Sequence, residues 1–261
     1  MLLQSKNAVI YGAGGAIGAS VARAFAREGA RVFLAGRTLA KLQAVAQVIT
    51  AEGGVAEAAQ VDAFDEASVE THVGAVAAKA GAIDVLFNAI GMEDVQGVPL
   101  LDMPVEDFMR PVVIASRTQF LTARAVARRM AERRSGVIMT VTAGPAREAT
   151  PNIGGFGAAC EAIEGLWRCL AAELGPRRVR VVCLRSAGSP DTPAVQQVFT
   201  IHAKATGVTL EEYVANCGSG TLLGRLPMLA EVSAVAVLMA SDRATAMTGT
   251  FVNVTCGSRV D

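Results

Sequence analysis

The chain has 261 residues, the size of one large α/β unit. Lysine plus arginine and aspartate plus glutamate are 24 each, a balance that argues against a nucleic-acid or membrane-surface partner. Hydrophobic residues make up 52% and aromatic residues only 5%, so the apolar content is mostly aliphatic, as in a parallel sheet covered by helices.

In chain order, Ala8 to Tyr11 reads as a short buried strand. A glycine cluster follows, then a helical pattern from about Ile17 to Glu28 that Gly29 ends. Arg31 to Ala35 is the second strand, Leu39 to Ala51 a helix closed by Gly53 and Gly54, and Val55 to Val61 the third strand. A helix near Glu66 to Ala80 stops at Gly81, and Asp84 to Asn88 is the fourth strand. A long helix covers about Val105 to Ala131, with Pro111 expected to break or kink it. Gly136 to Thr142, Val179 to Leu184 and Phe251 to Val254 complete seven strands, and a helix spans about Gly157 to Leu174. Strands alternating with helices of this length predict a Rossmann-type, doubly wound parallel sheet flanked by helices, in one domain over 1–261. Residues 188–224 lack a strand pattern and are expected to form a lid; Leu226 to Ala240 returns to helical spacing.

The N-terminus lacks a charged region leading into a sustained apolar stretch and cleavage site, and no run approaches the ~18 apolar residues of a membrane helix. A soluble, cytoplasmic protein is the expectation. The five cysteines form no C-x-x-C pair and read as buried, reduced thiols. With only His72 and His202 in the chain, no metal site is expected.

The strongest motif is Gly12-Ala13-Gly14-Gly15-Ala16-Ile17-Gly18, a turn between the first strand and the first helix. Glycines there let the backbone approach a pyrophosphate, whose charge meets the helix N-terminal amides. The second strand ends at Gly36, where an NAD site needs a carboxylate for the ribose hydroxyls, and Arg37 follows. A guanidinium suits a 2′-phosphate, so NADP (NADPH) is favoured over NAD. Asp62, ending the third strand, is placed either to meet the adenine or to cap a helix.

These residues resemble the short-chain dehydrogenase/reductase family, over essentially the whole chain. The turn matches that family's T-G-x-x-x-G-x-G with Tyr11 for Thr and Ala16 for the middle Gly. Phe87-Asn88-Ala89-Ile90-Gly91 is similar to its N-N-A-G segment, Cys183 to Gly188 to its C-V-x-P-G run, and Thr248 to Val254 to its closing strand. The resemblance implies nucleotide contacts at Asn88, Gly91 and Thr192, and a homodimer or homotetramer formed through the helices around Thr118–Met130 and Ala159–Leu174.

The family's catalytic quartet is Asn, Ser, Tyr, Lys. Registered on Glu164-Gly165-Leu166 and Ala171 to Leu174, the Tyr place falls on Phe156 and the Lys place on Cys160. The Ser place, thirteen residues before Phe156, is Ala143, and the Asn place is Ala115. Thr142 is adjacent, but strand alternation turns it to the other face. Catalytic residues are therefore unassigned, and Ala143, Phe156 and Cys160 are expected to wall an apolar pocket for a small hydrophobic or aromatic substrate. Three readings stand: hydride transfer to a substrate needing little acid help, a catalytically inactive binding or regulatory partner, and a pocket recruited to non-redox chemistry.

Overall fold

The computed structural model describes residues 1–260. Its strands are β1 (Asn7–Tyr11), β2 (Arg31–Gly36), β3 (Val55–Gln60), β4 (Val85–Asn88), β5 (Gly136–Ala143), β6 (Val179–Ser186) and β7 (Thr250–Val254). They form one sheet in the order β3-β2-β1-β4-β5-β6-β7, every pair parallel. The chain winds outward from β1 to β3, then returns to place β4 on the other side of β1. That reversal opens a crevice beyond the carboxyl ends of β1 and β4, where open α/β sheets bind ligands.

The helices are α1 (Ala16–Arg27), α2 (Leu39–Ala51), α3 (Glu66–Ala80), α4 (Val105–Arg133), α5 (Phe156–Leu174), α6 (Pro193–Thr206), α7 (Leu210–Ser219) and α8 (Leu229–Ala240). Because alternate strand residues face opposite ways, the sheet has two cores. Ala8, Ile10, Leu34 and Phe87 pack with α1, α2 and α8, whereas Val9, Tyr11, Phe33 and Leu86 pack with α3, α4 and α5. Among the described residues no helix is long and apolar enough to cross a membrane.

Two expectations are corrected, those for Pro111 and for the cysteines, and the strandless region 188–224 is given its helices. Pro111 does not break its helix: α4 runs unbroken from Val105 to Arg133. The proline lies near the helix start and is buried against Gly155, where an added Cβ would fall 1.9 Å from the Phe108 carbonyl and 3.0 Å from the Pro111 ring. The forgone hydrogen bond is thus offset by a close chain crossing. The lid region holds two helices. Pro193 opens α6 at its first turn, and Thr209 with Glu212 forms a reciprocal capping box on α7. The cysteines are not uniformly buried: Cys160 and Cys183 are, Cys217 and Cys256 are partly so, and Cys169 is exposed, because it lies off the face of α5 that presents Ile163 and Trp167 to the core.

Tyr11 carries a polar group into the second core. Its hydroxyl shares a hydrogen bond of 3.0 Å with Nδ1 of His72 on α3, and the His72 side chain is nearly sealed from water. Burial lowers His72 from 6.5 to about 4, and burial, with a smaller contribution from Glu70, raises the phenol. The folded state therefore resists a proton that the unfolded chain accepts. Stability from this site is complete above pH 6.5 and is lost as pH falls toward 4, by up to about 3 kcal/mol. Thermal melts between pH 7 and 4 are expected to show this loss, and His72→Gln to flatten it; an unchanged acid slope in the variant would contradict the assignment.

Candidate nucleotide and reaction site

The glycine turn is built by contact. Gly12 has φ of 75°, and an added Cβ would lie 2.3 Å from the Ala89 carbonyl oxygen. At Gly18 a Cβ would lie 2.4 Å from the Gly12 oxygen, so α1 can approach the turn only with glycine there. Gly15 caps α1 in extended conformation, leaving the first amides of the helix facing the crevice. The crevice is a cavity of about 570 Å³ whose walls include Gly12, Gly14, Gly15, Arg37, Asp62 and Gly91. A cradle that a side chain would fill, at a helix N-terminus, fits the pyrophosphate of a dinucleotide.

Of the other expected cofactor residues, Ile17, Asn88 and Thr192 lie outside this wall. Ile17 packs against the first core. Asn88 is buried, donating to Thr122 Oγ1 at 2.8 Å and accepting from the Ile90 amide at 3.1 Å, so it ties the end of β4 to α4. Asp62 accepts from the Phe64 amide at 2.9 Å, a turn role combined with its place on the cavity wall. Thr192 is buried and donates to the Ser189 carbonyl just before α6. Two charged cavity residues went unnoticed in the sequence: Lys41, on α2, and Glu93, whose carboxylate pairs with Arg37 at 2.5 Å.

Beyond β4 the site changes character. Ala143 ends β5, Phe156 begins α5, and Cys160 follows one turn later. Ala115 is buried in α4. Burial pushes the Cys160 thiol up to about 12, with the charges of Glu164 and Asp94 adding to the rise. It stays neutral near pH 7, unlike a reactive thiolate. His202 is not its base: Nε2 donates to Gln96 at 2.8 Å, Gln96 donates to Asp94 at 2.6 Å, and the imidazole stacks on Tyr213.

Under Cys160 lies a cluster that the sequence did not announce. The Glu164 side chain is 0% exposed and receives Nε and Nη2 of Arg185 at 3.0 and 2.9 Å and Nε of Arg147 at 3.1 Å. Thr142 does face away from Ala143, and that face is the one α5 covers, so its hydroxyl reaches Glu164 at 3.3 Å. Arg185 also donates to Asn253 on β7 at 3.0 Å. The buried charge thus locks α5, β5, β6 and β7 together beneath Cys160.

The family model for enoyl-(acyl carrier protein) reductase matches residues 12–259. The chain belongs to the short-chain dehydrogenase/reductase family. The uncharacterized oxidoreductase YxbG of Bacillus subtilis is 32% identical over 247 residues, covering 95% of this chain and 88% of that protein. D-threitol dehydrogenase of Mycolicibacterium smegmatis is 29% identical over 247 residues, covering 95% and 90%. The solved structure of NAD⁺-bound xylitol dehydrogenase superposes with a TM-score of 0.92 at 24% identity, covering 98% of this chain and all of that one, and shares the fold. The protein is accordingly an oxidoreductase of this family with its nucleotide-binding fold.

Removing one partner of a fully desolvated ion pair leaves the other charge uncompensated, at a cost of about 3–5 kcal/mol. Glu164→Ala is expected to lower stability by that amount in urea unfolding. A loss below about 1 kcal/mol, the range of exposed pairs, would mean that the cluster is hydrated.

Proposed function

We propose that this family member is an NADP(H)-binding oxidoreductase that works without the usual Asn, Ser, Tyr and Lys, on a small hydrophobic or aromatic substrate. The reading is supported by the formed nucleotide cradle, taken together with Ala143, Phe156 and Cys160 at the end of β5 and the start of α5, where the resemblance implies the family's donors. Arg37 and Lys41 on the cavity wall support a 2′-phosphate, and no side chain at Gly36 competes for it. When bound, NADPH supplies a hydride. The gain from general acid catalysis is typically about 10²–10⁴-fold, and Phe156 and Ala143 cannot provide it. Substrates that tolerate this are those whose charge is already favourable or delocalised: an iminium, an activated alkene, a quinone-like ring. The apolar walls of Phe156 and Met92 then orient the ring and exclude water.

Fluorescence titration is expected to show NADPH binding more tightly than NADH; no affinity for either at millimolar concentration removes the reading. Reinstating the donors with Ala143→Ser, Phe156→Tyr and Cys160→Lys is expected to raise ketone reduction by about 10²-fold or more. If the wild-type protein already reduces ordinary ketones at family rates, the substituted register is wrong. Bound nucleotide with no turnover on a broad panel would instead favour the inactive-partner reading.

The protein is further proposed to associate as a homodimer or homotetramer through α4 and α5. Met109, Val113 and Phe120 of α4 are exposed apolar residues, which such a contact would cover. A monomer by light scattering at micromolar concentration would contradict this.

A further inference from the structure

We propose that Glu93 sets the choice between the two nicotinamide nucleotides, by holding Arg37 in an ion pair that a 2′-phosphate has to open. The inference rests on the nucleotide reading of the cavity and adds a residue that lies outside the glycine motif.

Arg37 follows β2, and Glu93 lies in the loop leaving β4. Strand β1 runs between those two strands, so the pair spans its carboxyl end, across the mouth of the cavity that both residues line. Nη2 and Oε1 are 2.5 Å apart. Glu93 stands at φ of 54°, a left-handed conformation that a non-glycine residue holds only when its surroundings impose it. The loop therefore delivers this carboxylate over the cavity at some conformational cost.

The cavity wall carries four charged side chains: Arg37 and Lys41 against Asp62 and Glu93. Asp62 is engaged in its own turn. At Gly36, the end of β2, there is no side chain to accept ribose hydroxyls. Glu93 is the carboxylate that can do so from the opposite wall while staying paired to Arg37. A ribose with a free 2′-hydroxyl leaves that pair intact. A 2′-phosphate is repelled by Glu93 and has to draw Arg37 away from it. The preference that Arg37 alone would confer is thereby reduced, and NADH is kept as a competitor. The side chains are 71% and 50% exposed, so the effect is that of a surface pair, about fivefold at low salt.

Two probes that differ only in the 2′-phosphate test this: adenosine 2′,5′-bisphosphate and adenosine 5′-monophosphate, titrated by calorimetry at low salt into the wild type, Glu93→Gln and Arg37→Gln. Glu93→Gln is expected to raise the preference for the bisphosphate about fivefold, and Arg37→Gln to lower it, Lys41 remaining on the wall. If Arg37→Gln lowers the preference while Glu93→Gln leaves it unchanged, the latch is refuted and the nucleotide reading stands. If the wild type binds neither probe nor NADPH, the nucleotide reading fails and the latch falls with it.

Discussion

The contact of Gly12 with the Ala89 carbonyl is the constraint on which the nucleotide side depends. With no Cβ, the turn after β1 can lie directly on the chain leaving β4. That brings the amides of α1 to the crevice floor and leaves the sides to Arg37 and Asp62 on one wall and Gly91 and Glu93 on the other. A methyl group at Gly12 would meet backbone atoms, which cannot rotate away. The geometry is therefore fixed by sterics, with Arg37, Lys41, Asp62 and Glu93 as the charges placed around it.

A few ångströms of sequence-distant packing give the reaction side the opposite logic. Cys160, proposed to stand at the family's Lys place, is a buried thiol, and the strongest charge nearby, Glu164, is already matched by Arg185 and Arg147. Positive charge is directed at that carboxylate rather than at Cys160, whose thiol is raised, not lowered. A buried ion pair of this kind fixes the register of α5 on β5 and β6 more than it adds stability. The packing around Cys160 is closed and its charges are matched, while the crevice at the glycine turn is lined by Arg37, Lys41, Asp62 and Glu93.

The parts legible in the sequence were those encoded over short spacings. The glycine turn, Arg37 just past β2, and the Asn88–Gly91 segment all lie at strand ends, which the strand–helix alternation located; Gly12, Arg37 and Gly91 line the crevice and Asn88 is buried behind it. Glu164 and Arg185 were not legible, because they belong to different elements and meet only through the packing of α5 on β6. Glu93 escaped notice for the same reason: its partner, Arg37, follows β2, two strands away from β4 in the sheet. The helices of the lid were signalled by Thr192-Pro193 and by the Thr209–Glu212 capping box, but the prolines and glycines around them, Pro190, Pro193, Gly207, Gly218 and Gly220, hid them. Pro111 misled because its place in the first turns of α4, against Gly155, makes it tolerable.

The central claim is that a hydride donor's cradle persists beside a centre stripped of proton donors. A crystal structure grown with NADPH tests it most directly. The account predicts an ordered nicotinamide whose reactive carbon faces Ala143, Phe156 and Met92, with no side-chain hydroxyl or ammonium placed to reach, at about 3 Å, the oxygen of a carbonyl substrate. A phenolic hydroxyl or an ammonium at that carbon, or an empty cradle at saturating NADPH, would contradict it.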